Sequence, residues 1–281
     1  MKPTVSPRYF LLIAIAAIAL SCIGATAIAQ SNASNPAFAP QPCTVDWGSD
    51  ATPLIDFSGY LDAPAGRDGF IRVEGEHFVK PDGSRFRIWG VNITAGYCFP
   101  SHEDAEFIAD NLARMGINCV RFHGLDSNWG RSLIDYDRND TQHMVDENFD
   151  RLDYLVWQFK KRGIYSNLNL NVFRKFKEGD GLADTKPLYF GKSATYFNPR
   201  LIELQKDYAV KLLTHKNAYT GNEYRNEPAV FCIEIVNENS VLEGWVNWRL
   251  AGRNDEAPST WSPIPVSYAE ELTQQYNDWL K

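Results

Sequence analysis

The chain has 281 residues, 44% hydrophobic and 22% charged, with a net charge of −7. That balance is the composition of a globular protein and excludes a low-complexity or fibrous chain. The acidic charge, with no basic stripe anywhere, argues against a nucleic-acid partner.

The first residues read as a secretion signal: Lys2 and Arg8, an apolar core from Phe10 to Leu20, and the small-x-small site Ala27-Ile28-Ala29 before Gln30. The apolar core is shorter than the roughly 20 residues of a comfortable membrane span, and no other run is long enough, so no membrane span is expected. Leu20-Ser21-Cys22 resembles a lipoprotein cleavage box, but Ala19 stands where Leu is usual, so cleavage after Ala29 is preferred. The expected product is secreted or periplasmic. Removing residues 1–29 leaves about 250 residues, enough for one large domain.

Gln30 to Pro42, rich in Ser, Asn, Ala and Pro, reads as a flexible leader, and residues 30–68 as an irregular N-terminal segment. Cys43 and Cys98 fall in irregular stretches and are candidates for pairing in an oxidising compartment. Cys119 and Cys232 sit in apolar runs as buried free thiols. A barrel-forming region is read from residue 69 to the end. Its first element is a hairpin, with strands at 69–80 and 85–92 joined at Pro81-Asp82-Gly83-Ser84.

One theme then repeats. A helix over 103–115 carries Phe107, Ile108, Leu112 and Met115 at helical spacing, stops at Gly116 and feeds a strand at 117–123. A second helix, 146–162, presents Phe149, Leu152, Leu155, Val156 and Phe159, stops at Gly163 and feeds a strand at 165–172. A third, 201–214, precedes the strand Ala229–Val236. Helices feeding short apolar strands imply βα units and a parallel sheet. Asn167, Asn169 and Asn171 alternate with Leu168, Leu170 and Val172, so one face is apolar and the other polar. A doubly wound sheet needs both faces apolar. The expected fold is therefore α/β, a (β/α)8 TIM barrel truncated after about four βα units and preceded by a β-hairpin.

Two Asn-Glu pairs compete for chemistry. Asn226-Glu227 precedes its strand and so falls at the bottom of a barrel, where residues serve stability. Asn237-Glu238 follows the same strand, at the end where barrels keep catalytic groups. Glu234 shares the inward parity of Glu238, and Arg121 near the top of the second strand is its natural partner. His123, two residues on, faces the same way. Trp129 and Trp245 best match top-rim loops, within a chain that has 8 Trp and 13 Tyr.

Gly90-Val91-Asn92, Gly116-Ile-Asn-Cys-Val-Arg121 and Ile233-Glu-Ile-Val-Asn-Glu238 resemble, in order and spacing, successive motifs of the clan A glycoside hydrolases, particularly family 5. The likeness runs from about Gly69 to the end. It implies a retaining hydrolase of a β-linked polysaccharide or oligosaccharide, of β-glucan or β-mannan type, needing no metal or organic cofactor. Glu238 would be the acid/base, Asn237 would contact the substrate 2-hydroxyl, and Arg121 would support the nucleophile. His123, Asn171, Trp129 and Trp245 are the substrate-binding candidates. The resemblance places the nucleophile, a Glu, on a seventh strand that this sequence does not reach, so residues 30–281 alone are expected to be inactive. Three departures stand out: Asn169 and Asn171 where a His is common, a long loop from Phe173 to Phe197, and Asn239-Ser240 where Pro commonly follows the acid/base Glu. The rival reading is a non-catalytic secreted carbohydrate-binding protein, favoured by the Trp content and the missing nucleophile.

Overall fold

The computed structural model describes residues 56–242 and 263–281. The signal, the leader, Cys22, Cys43 and Trp245 lie outside the described residues. A short hairpin comes first, β1 (Arg72–Glu74) against β2 (His77–Val79), antiparallel with Val73 opposite Phe78. The tight turn is therefore at Gly75-Glu76, inside the run expected to be one strand, because Gly75 takes a φ of 59° that a Cβ would oppose. The turn expected at 81–84 also forms, closed by Lys80 N–H donating to Ser84 O at 2.8 Å. A single bridge from Val79 to Arg85 follows it.

Strand β3 spans Gly90–Thr94, later than the expected 85–92. The delay has a side-chain cause. Asn118 accepts from Trp89 N–H at 2.8 Å and donates to Arg87 O at 2.7 Å, so one amide side chain satisfies backbone that a ladder would otherwise take. Pairing begins only at Gly90 opposite Cys119. A Cβ on Gly90 would come within 2.9 Å of Cys119 O, so this close approach requires glycine.

Helix α1 (His102–Arg114) is capped by Ser101, whose side chain accepts from Asp104 N–H, with Glu103 and Asp104 in the first turn. Its buried stripe is Ala105, Ala109 and Ala113, while Phe107 and Met115 are exposed, contrary to the apolar face expected from size alone. Small residues four apart let the helix sit close to its neighbours, which larger side chains would prevent. Helix α2 (Asp146–Lys161) buries all five residues of its expected face. Both helices end on a left-handed glycine. Ile117 N–H reaches back to Leu112 O and Ile164 N–H to Phe159 O, each at 3.0 Å, which satisfies the terminal carbonyls.

Strands β4 (Cys119–His123), β5 (Tyr165–Asn171) and β6 (Val230–Val236) complete a parallel sheet in the order β3-β4-β5-β6. Between β5 and β6 come a single-turn helix α3 (Thr185–Leu188) and α4 (Pro199–Leu213), the latter capped by Asn198 with Pro199 in its first turn. Helix α5 (Val266–Trp279) follows and buries Tyr268 and Ala269 with Leu201 and Leu204. Four parallel strands, paired in chain order with helices between them, are the leading βα units of a (β/α)8 barrel. The main core lies between sheet and helices. Val120, Phe122 and Leu168 pack there on Ala109, Leu152, Val156, Phe159 and Leu212. Burying an aliphatic or aromatic side chain of this size contributes about 1.5–3 kcal/mol, so this apolar layer holds the polar face in place. Among the described residues no helix is long and apolar enough to cross a membrane.

Candidate active site

The polar side of the sheet gathers its charged residues by register. Asn92, Arg121 and Asn167 share one level, Thr94 pairs with His123, and Asn169 pairs with Glu234. Arg121 is the hub. Its Nε donates to Glu234 Oε2 at 2.7 Å and its Nη2 to Glu234 Oε1 at 2.5 Å, a two-point grip on one carboxylate. The same Nη2 donates to Asn237 Oδ1 at 2.8 Å. The pairing holds the Glu234 carboxyl below the ordinary glutamate range, and hydrogen bonding to Glu234 raises Arg121. Glu238 adds a weaker electrostatic pull on Arg121.

His123 touches the hub through Nδ1, 3.0 Å from Arg121 Nη1 and 2.9 Å from Asn169 Oδ1. A guanidinium only donates and an amide oxygen only accepts. Either neutral tautomer of the ring therefore has a partner, and its edge rests on Phe173.

Asn237 N–H donates to Asn171 O at 3.0 Å, which carries the β5–β6 ladder one step past the strand. Glu238 follows, exposed, with a φ of 45°. Trp129 is 42% exposed and lies on Phe173 with ring centroids 4.4 Å apart, leaving part of its ring to solvent at the same end of the sheet. The structure thus brings Arg121, His123, Asn237 and Glu238 together, with Trp129 nearby.

Asn171 does not join them. Its side chain is buried and donates to Gln205 Oε1 on α4 at 3.1 Å, on the helix side of the sheet, so it leaves the set of substrate-binding candidates. Its backbone is still paired with Val236 in the ladder; the physical reason is that the Gln205 amide on α4 comes within reach at the last residue of the strand and takes the Asn171 side chain. Glu227 lies at the opposite end of β6. It is fully buried and accepts from Lys160 Nζ at 2.7 Å, Ala229 N–H at 3.0 Å and Asn222 Nδ2 at 3.1 Å. Burial raises its carboxyl, but the Lys160 ammonium and the amide donors outweigh that, and the net effect is a lowering. It is an anchor, as its position before the strand implied.

The loops above the strands rest on groups that sequence reading missed. Asp126, just past β4, is buried and accepts from the N–H groups of Val172, Phe173 and Arg174 at 2.8, 3.1 and 3.1 Å. Arg174, also buried, donates to Thr141 Oγ1, Thr141 O and Leu204 O. Asp180 accepts from Thr141 and Lys177. A buried charge is costly unless it is paired, so three such groups in one loop system mean the long excursion after β5 is built as carefully as the core. A usable signal was present: Asp126 and Arg174 each follow a strand end within three residues.

Cys98 is a free thiol, fully buried and donating to Ile93 O, and it takes no part in a disulfide. Among the described residues no three His, Cys, Asp or Glu side chains converge as metal ligands. An apolar cavity of about 260 Å3 lies between the end of the sheet and α4, lined by Leu170, Ile202, Tyr208 and Ile235 and reaching Val236, Thr195 and Tyr196.

No family model matches the chain. It is 27% identical over 210 residues to mannan endo-1,4-beta-mannosidase 2 of Arabidopsis thaliana, which covers 63% of this chain and 46% of the relative. It is 26% identical over 207 residues to mannan endo-1,4-beta-mannosidase 5 of the same plant, covering 64% and 44%. An endo-1,4-beta-mannanase structure from Rhizomucor miehei matches with a TM-score of 0.47 and 23% identity, over 60% of this chain and 48% of its own. The chain spans about half the length of the curated relatives it matches. The likeness to glycosidases carried by the three sequence motifs is met by these two plant relatives.

Proposed function

We propose that this chain, related as it is to mannan endo-1,4-beta-mannosidases, supplies the acid/base side of a retaining glycosidase acting on β-1,4-linked mannan. The observation that carries the reading is the placement of Asn237-Glu238. The pair continues β6 past its C-terminal end and is tied to Arg121 by the 2.8 Å bond to Asn237. That end of a parallel barrel is where loops assemble catalytic groups.

The roles follow from the chemistry. Glu238, exposed at the strand end, protonates the departing glycosidic oxygen and then deprotonates the water of the second step. Asn237, with its Oδ1 held by Arg121, presents its amide N–H groups to a sugar hydroxyl. Trp129 offers a ring face on the rim. Retention needs a second carboxylate about 5–5.5 Å from the first. Glu234 is committed to Arg121 in a two-point pair, so it is a poor candidate for that carboxylate. The nucleophile is assigned to chain outside the four described strands, and an exported enzyme would meet its polysaccharide outside the cell.

The test is hydrolysis of β-1,4-mannohexaose by the full-length enzyme and by its Glu238→Gln variant. Removing the proton donor is expected to lower turnover by at least about 100-fold while the oligosaccharide still binds. A wild type that binds the sugar without ever cleaving it would instead favour the carbohydrate-binding reading.

A further inference from the structure

We propose that the segment from Lys192 to Tyr196 is a clamp that positions Glu238, and that Asn239 is the residue through which it holds. The proposal rests on the acid/base reading of Glu238 and adds how that group is kept in place. Glu238 has a φ of 45°, in the left-handed region. Residues with a Cβ enter that region only when their surroundings impose it. No glycine lies beside Glu238 to ease the turn.

The surroundings do impose it, from both sides. Before Glu238, the carbonyl of Asn237 accepts from Lys192 Nζ at 3.1 Å. Lys192 is 1% exposed, and its ammonium lies 5.1 Å from the centre of the Phe173 ring. After Glu238, the Asn239 side chain donates to Lys192 O at 2.6 Å and to Thr195 Oγ1 at 3.2 Å. The Asn239 carbonyl accepts from Tyr196 OH at 2.9 Å, and Ser193 Oγ donates to Ser240 O at 3.3 Å. The carbonyls on both flanks of Glu238 are therefore fixed to one short segment. That segment belongs to the long loop between β5 and α4, so this loop and the Asn239-Ser240 pair, two departures noted in the sequence, are parts of a single contact.

The function of such a clamp is orientation. A proton donor has to meet the leaving oxygen within hydrogen-bond reach, and small displacements cost rate without costing binding. The clamp residues need not touch the substrate; they act through the backbone that carries Glu238.

The experiment compares wild type, Tyr196→Phe and Asn239→Ala, because Lys192→Met risks misfolding at a fully buried position. By NMR on the 281-residue chain, the intraresidue HN–Hα Overhauser effect of Glu238 reports its φ directly, since it is strong only when φ is positive. It is expected to be strong in wild type and lost or averaged in Asn239→Ala, with a smaller loss in Tyr196→Phe. In the full-length enzyme, Asn239→Ala is expected to lower kcat on mannohexaose about 10-fold and to leave KM within about twofold. An unchanged Overhauser effect in both variants overturns the clamp. If Glu238→Gln leaves turnover intact, the acid/base reading has failed, while the NMR result still decides whether the clamp exists.

Discussion

Glu227→Gln separates the two Asn-Glu pairs most cleanly, because it should cost stability and leave sugar chemistry alone. The Glu227 side chain has no solvent exposure and accepts three hydrogen bonds, from Lys160 Nζ, Ala229 N–H and Asn222 Nδ2. Glutamine keeps one acceptor oxygen but turns the other site into a donor. Lys160 then loses its counter-charge, and one of the donors meets another donor. Breaking a buried pair from one side costs about 3–5 kcal/mol. Lys160 keeps 21% of its side-chain exposure, so water recovers part of that. The expected loss is about 3 kcal/mol, which for a chain of this size lowers Tm by about 6–12 °C. Urea unfolding followed by far-UV circular dichroism measures it, provided the m-value is unchanged. A double-mutant cycle with Lys160→Met should show a coupling of about 1–3 kcal/mol. A loss below about 1 kcal/mol would refute the reasoning that Glu227 is a charged anchor, as would any fall in sugar binding beyond the stability effect.

Three further outcomes are expected. Glu227 and Glu234 both have carboxyls held below the ordinary value of 4.5. Their contribution to stability is therefore full above that value and is lost as pH falls through the lower folded values. Stability against pH should drop on the acid side of 4.5, and Glu234→Gln should flatten part of the drop. A Glu234→Gln curve that tracks wild type would contradict the Arg121 pairing. Trp129→Ala, which removes a half-exposed ring from the rim, should weaken mannohexaose binding by about 1 kcal/mol, read by calorimetry, in line with the usual worth of a ring contact. The cleavage site read from the sequence predicts a processed N-terminus at Gln30, which N-terminal sequencing checks; a lipid-modified Cys22 would overturn it.

Much of the fold was legible because its signals are local. Gly116 and Gly163 end their helices, and the Asn–Leu alternation of β5 marks one polar and one packed face. These depend on backbone geometry and period, which a sequence displays directly. The hub was legible for a related reason: Arg121, His123 and Glu234 sit near strand tops with consistent parity, and Asn237 follows directly past the end of β6. What was not legible depends on side-chain reach. Asn118 delays β3 by bonding to backbone 29 and 31 residues away, and no local pattern announces it. The packing face of α1 was read in part: Ile108 and Leu112 do pack on the core, but the alanines at 105, 109 and 113 form its centre and were passed over because alanine carries little hydrophobic weight. Asn171 was assigned by strand parity, which does not show that Gln205, 34 residues on, reaches its side chain. The Lys192–Asn239 contact joins two loops 47 residues apart, and only the folded chain shows that they meet.

The most direct test of Glu238 as the proton donor uses two β-mannobiosides that differ only in leaving group, with Glu238→Ala in the full-length enzyme. A dinitrophenolate departs without a proton, whereas a sugar hydroxyl does not. The account predicts a loss of about 100-fold or more on the mannobioside whose leaving group is a sugar, a first step largely kept on the dinitrophenyl mannobioside, and azide restoring the second step with a β-mannobiosyl azide as product. Equal losses on both substrates, or no loss on either, would contradict it.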